Sequence, residues 1–159
     1  MAQQPIIHEL DDIDIKILQA LQENCRLTTK ELALKIHLST TPTFERQRRL
    51  EREGFIDKYV AILNADRLER GFQVLCNVTM RQLNHEVAAQ FKDAVSKWKE
   101  VTECYNVSGE GDYMLKVCVS SMHQYQQFIL NELGTFPYIG HIKSIFIMDT
   151  LKLTYGLPL

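Results

Sequence analysis

Between Thr28 and Ile56 the chain reads TTKELALKIHLSTTPTFERQRRLEREGFI, two short helical patterns joined by a tight turn, the second studded with arginines. Few folds accommodate that arrangement, and it outlines a DNA-reading helix-turn-helix. Thr28 and Glu31 have capping-box spacing, in which a hydroxyl and a carboxylate each satisfy an orphan N–H, so the first helix is expected to start near Thr29. Leu32, Ala33 and Ile36 fall on one face, the pattern breaks at His37-Leu38-Ser39, and Pro42 suits the first turn of a second helix.

On an ideal helix of about 100° per residue, with Leu50 toward the core, Arg48 and Arg52 point roughly 160° away, and Thr41 and Glu45 also face outward. Arg46 lies only about 40° from Leu50, so it is expected to be a partly buried structural arginine paired with a carboxylate. Arg49 and Phe44 sit on the flanks. There an arginine reaches phosphate, and an aromatic either meets a thymine methyl or packs under the neighbouring helix, the latter being the preferred reading for Phe44. Upstream, Asp11 is an N-cap candidate, Leu10 and Ile15 have staple spacing, and Ile13, Ile17, Leu18 and Leu21 form an apolar stripe that predicts a third helix. Downstream, Gly54 stops the arginine helix, and Ile56 to Leu63 alternates well enough for a strand carrying Lys58, which makes the unit winged.

The charged, glycine-containing stretch 64–72 is the expected hinge, dividing a helix-turn-helix domain at 1–63 from a second domain at 73–159. In the second domain, strands are expected at Val74–Met80, Val101–Val107, Met114–Val119 and Ile142–Leu153, with helices at His85–Lys97 and Met122–Leu133. The order βαββαβ is the ferredoxin-like pattern, so the fold class is α+β. Ile145, Ile147 and Leu151 give both faces of the last strand apolar content, and self-association is the simplest cover for the face that helices leave open.

A net charge of -2 excludes a global polycation, so affinity for nucleic acid must come from a local patch such as Arg46, Arg48, Arg49 and Arg52. No apolar run reaches membrane-spanning length and MAQQPIIHELDD lacks signal-peptide regions, which predicts a cytoplasmic protein. Cys25, Cys76, Cys104 and Cys118 are scattered without a Cys-x-x-Cys spacing and read as reduced core residues, not as metal ligands or a disulfide frame. The histidines, His8 among them, occur singly, and no nucleophile–base grouping or phosphate-cradling loop is evident, so neither an enzyme nor a cofactor is expected.

LDDIDIKILQALQENCRLTTKELA followed by LSTTPTFERQRRLEREGFI resembles the N-terminal half of the Lrp/AsnC regulators, nearest to their leucine-responsive branch. CYNVSGEGDYMLKVCV resembles the effector-binding strand pair of the same family, and the likeness runs on to about Lys152. What it implies is a transcription factor that binds double-stranded DNA. Thr40 and Thr41 lie near the start of the recognition helix, and Phe44, Arg48, Arg49, Arg52 and Lys58 are further contact candidates.

The resemblance also implies a homodimer formed through the sheet, often assembled into octamers, and a small amino-acid effector held between subunits. Alone, Ser108-Gly109-Glu110-Gly111-Asp112 would pass for a hairpin turn. In the family it meets the effector, with backbone N–H groups receiving the ligand carboxylate and Asp112 holding the ammonium. Gly109, Gly111, Asp112 and Tyr113 are the carried-over candidates, with Ser144 beside the pocket. The chain departs from the family at Phe136-Pro137-Tyr138-Ile139, where Tyr138 narrows the pocket, at His37 in place of the turn glycine, and at Thr43 and Gln47 in place of buried aliphatics. Two rival readings are an effector-free architectural DNA-binding protein and an amino-acid-sensing regulatory module of an enzyme.

Overall fold

A computed structural model describes residues 9–159; residues 1–8, with His8 and most of the stretch weighed as a signal peptide, lie outside the described residues. The described residues form two compact units, one comprising 9–62 and 152–159 and the other 63–151. The boundary at 62/63 falls beside the expected hinge. The last eight residues, expected in the second domain, lie against the helical unit. Glutamine side chains on the first helix bond their backbone, a link no local pattern announces.

The helical unit contains α1 (Asp12–Glu23), α2 (Thr29–Lys35) and α3 (Thr40–Arg52). Local chemistry sets each boundary. Asp11 caps α1 by accepting from the Ile13 and Asp14 N–H groups, and the Asp14 carboxylate answers to the Asp11 N–H. Thr28 and Glu31 form the same reciprocal box on α2. His37 carries the turn at φ 58, a left-handed conformation that histidine tolerates better than most residues. Gly54, at φ 79, follows the end of α3. Ile17, Leu18, Leu21, Leu32, Ile36 and Leu50 make the core of this unit. Burying such side chains is worth on the order of 1.5–3 kcal/mol each.

Ile56–Leu63 forms no strand, which corrects the strand expected there. A strand needs a ladder of neighbouring N–H and C=O groups, and all four described strands belong to the other unit. The segment is left extended, with Tyr59, Val60, Ile62 and Leu63 exposed.

In the second unit β1 (Phe72–Met80), α4 (His85–Lys97), β2 (Val101–Asn106), β3 (Tyr113–Val119), α5 (Met122–Asn131) and β4 (Ile139–Phe146) follow the expected βαββαβ order. They give an antiparallel sheet of order β2-β3-β1-β4. Val74, Cys76, Val78, Leu115 and Val117 face α4 and α5 and pack on Phe91, Tyr125 and Phe128. β4 ends at Phe146 instead of running to Leu153: Ile147 still donates to the Gln73 carbonyl, but β1 begins at Phe72, so no ladder remains beyond. All four cysteines are free, yet only Cys76 is buried; Cys25 and Cys104 are exposed, the latter on the marginal strand β2, which corrects the core reading. Leu75, Met114, Tyr105 and Ile145 lie on the face away from the helices, with a Lys116–Glu103 ion pair at 2.9 Å among them. Among the described residues, no helix is long and apolar enough to cross a membrane.

Candidate functional site

The outward face of α3 follows from its sequence. Thr40, Thr41, Phe44, Arg48 and Arg52 are exposed, and positions 41, 44, 48 and 52 recur at helical spacing on one side. Arg48 has 65% and Arg52 73% of its side chain exposed. Phe44 does not pack under the neighbouring helix, as preferred above; it is 47% exposed, and the Arg48 guanidinium lies 5.3 Å over its ring. The stacked cation makes a flat, positively charged platform. Lys58 is exposed on the extended segment after α3.

Arg46 and Arg49 do a different job. Arg46 Nη1 donates to Asp11 Oδ2 at 2.6 Å and to Asp14 Oδ1 at 2.9 Å, which bears out the expected structural arginine. Arg49, expected at phosphate, instead bonds Asp14 through Nη2 and keeps only 26% of its side chain exposed. Asp14, 1% exposed, is thus the hub joining α1 to α3. The Asp14 backbone N–H and then Arg46 hold the Asp11 carboxyl below the usual range, while Asp11 and Asp14 raise Arg46 further. Asp14 was missed in the sequence, although a signal existed: positions 14, 17, 18 and 21 share the apolar stripe, and an acid there asks for a buried partner.

The polar pair at Thr43 and Gln47 has a physical account. Buried Thr43 donates through Oγ1 to the Ser39 carbonyl at 2.8 Å. Gln47 donates to Glu51 and to the Tyr59 hydroxyl, both at 3.2 Å, and Tyr59 in turn donates to Glu51 at 2.9 Å. Burial and the Glu51 charge push the Tyr59 phenol up, so it remains a donor there. Because Ser39 O also accepts the Thr43 N–H, Thr43→Val leaves no orphaned group, and urea unfolding is expected to shift by less than about 1 kcal/mol.

In the sheet unit, the loop from Ser108 to Asp112 is built against β1. Gly109 has φ 129, and a Cβ on Gly111 would lie 1.6 Å from Asn77 Oδ1, so no other residue fits position 111 without displacing Asn77. Asn77 Oδ1 is buried there without a donor. Asp112 closes the loop: its N–H donates to the Val78 carbonyl at 2.9 Å, and its Oδ2 accepts the Met80 N–H at 2.7 Å, where the β1–β4 register shifts. Gly109, Gly111 and Asp112 therefore belong to one loop. Tyr113 turns to the helix-covered side, stacked 4.5 Å from Phe91, and Tyr138 packs on that core with its ring 5.7 Å from Phe136. Ser144 pairs with Cys76 across the sheet and bonds the Tyr125 hydroxyl, which also contacts the Cys76 thiol at 3.1 Å. Burial pushes both the Tyr125 phenol and the Cys76 thiol up, keeping them protonated. The side chains of Tyr113, Tyr138 and Ser144 are packed on the helix-covered side of the sheet. Among the described residues, no cluster of histidine, cysteine or carboxylate side chains could hold a metal ion.

Residues 10–57 match the family described as winged helix-turn-helix DNA-binding, and residues 73–157 match the Lrp/AsnC ligand binding domain. The chain belongs to the Lrp/AsnC family. It is 38% identical over 151 residues to the Bkd operon transcriptional regulator of Pseudomonas aeruginosa, covering 95% of this chain and 99% of that one. To the leucine-responsive regulatory protein of Escherichia coli it is 38% identical over 144 residues, covering 91% and 88%. Among solved structures, a transcriptional regulator from Neisseria meningitidis in complex with L-methionine superposes with a TM-score of 0.91 at 35% identity, covering 94% of this chain and 97% of that one. An AsnC family regulator from Agrobacterium tumefaciens reaches 0.89 at 34% identity, with the same coverages. This Lrp/AsnC chain is accordingly a DNA-binding transcriptional regulator, not an enzyme, with the α+β architecture expected from its sequence.

Proposed function

We propose that this regulator reads DNA with the outward face of α3 and answers to a small amino acid held at the Gly109–Asp112 loop. The exposed α3 face carries the proposal: Phe44 and Arg48 form a stacked platform and Arg52 extends it, while Arg46 and Arg49 are held by Asp14. Thr40 and Thr41 stand at the helix start, where recognition helices meet base edges, and Lys58 adds a phosphate contact. Arg49 supports the platform through its bond to Asp14 of α1.

The active species is a homodimer, built up into larger rings of dimers in the cytoplasm, and its two recognition helices enter half-sites about one helical turn apart. The partly apolar sheet face away from the helices supports self-association. The amino-acid ligand rests on the loop's fit to a carboxylate and an ammonium, and on the neighbour solved with L-methionine. Tyr113, Tyr138 and Ser144 shape that region from the core side.

Arg48→Ala is expected to weaken DNA binding about tenfold, with a shallower salt dependence and unchanged oligomer size. Unchanged affinity across a salt series removes Arg48 from the interface. Sequencing the source-genome fragments retained by purified protein, with and without the twenty amino acids, tests the function as a whole. Palindromic sites that change with the mixture support it; retention indifferent to amino acids removes the effector, and broad retention without a motif favours an architectural role.

A further inference from the structure

The helical unit has a groove of about 580 Å³ between α1 and the extended segment after α3, with Leu18, Leu21, Phe55 and Ile56 in its wall. The chain's own last residues form another part of its wall, held against α1. Gln22 reads the backbone of Leu157 from both sides, donating through Nε2 to its carbonyl at 3.3 Å and accepting its N–H through Oε1. This is the pairing one strand makes with another, performed here by a side-chain amide. Gln19 Nε2 donates to the Leu159 carbonyl at 2.9 Å. Gly156 sits so close that a Cβ there would be 3.3 Å from Gln22 Oε1. The fit is specific but light, since Tyr155 and Leu157 remain mostly exposed, which is the profile of a segment that opens before the unit unfolds.

We propose that residues 155–159 are a releasable latch, seated in cis on α1, that holds the DNA-reading helix in its binding-competent state. The contacts form a continuous series inside one unit: the tail bonds Gln19 and Gln22 on α1, Asp14 of α1 bonds Arg46 and Arg49 of α3, and α3 presents Phe44 and Arg48. The tail enters this series directly from the sheet unit, whose last residue is Leu151. Latch opening is therefore a two-state element that the sheet unit biases through covalent connection alone. Its effect on DNA rests on the α3 reading above; the docking does not.

The full chain is tested by amide hydrogen exchange together with DNA binding, in the wild type, in Gln22→Leu, which keeps the helix and removes both bonds to Leu157, and in Gly156→Val, which crowds Gln22. The Leu157 amide is expected to exchange about tenfold or more slowly than in a free peptide of the tail sequence, and both variants to lose that protection while α2 and α3 keep theirs. Both variants are also expected to bind DNA about threefold or more weakly, because the competent fraction falls. A Leu157 amide that exchanges at the free-peptide rate in the wild type overturns the latch, as does protection that survives in both variants. Lost protection with unchanged DNA affinity overturns its control of α3. A wild type that binds no DNA overturns that control together with the α3 reading, while exchange still decides the docking.

Discussion

Asp14→Ala is expected to lower the unfolding free energy of the helical unit by about 3 kcal/mol, read as an earlier urea midpoint for that unit with the sheet unit unmoved. Asp14 is 1% exposed and bonds two guanidiniums, so its loss strands both Arg46 and Arg49 at the α1–α3 seam. The low end of the range for breaking a buried pair applies, since Arg46 keeps 31% and Arg49 26% of its side chain exposed and water recovers part of the loss. Asp11 remains to Arg46 and limits the damage on that side. DNA binding should fail at temperatures where the wild type still binds, although Asp14 itself faces away from solvent. A midpoint shift below that of a surface alanine substitution would show that α1 and α3 are held by their apolar core alone.

The second large effect is expected at the glycine loop. Asp112→Ala should abolish amino-acid binding by calorimetry and leave DNA affinity without ligand intact. The structure adds a control, because Asp112 also caps the Met80 N–H at the end of β1. Asp112→Asn keeps an acceptor for that N–H and removes the charge. If the carboxylate holds an ammonium, both variants lose the ligand; if it only shapes the loop, the asparagine variant still binds. Binding retained by the alanine variant defeats the effector assignment at this loop.

What could be read from the chain was what neighbouring residues decide among themselves. The Asp11 and Thr28 caps, the His37 turn and the Gly54 stop are local bargains between a side chain and nearby backbone, and the structure has each where its spacing predicted. The βαββαβ order followed from alternating periods in the same way. The buried setting of Arg46 followed from angle alone, but the identity of its partner did not, because Asp14 lies 32 positions away. Strand limits failed for a related reason: Ile56–Leu63 and the run after Phe146 have strand-like composition, yet a strand exists only where a neighbour supplies a ladder. At the glycine loop, Gly109, Gly111 and Asp112 were legible as a turn, whereas the packing of Tyr113 against Phe91 and the bonding of Ser144 to Tyr125 depend on which face of the sheet the helices cover.

Gln22 and Leu157 stand 135 positions apart, and the whole sheet unit is made between them. At a synthesis rate of about 5–20 residues per second, the DNA-reading helices emerge on the order of ten seconds before the segment that bonds α1. A newly made helical unit therefore spends that interval with Gln19 and Gln22 lacking the backbone partners that the tail later supplies.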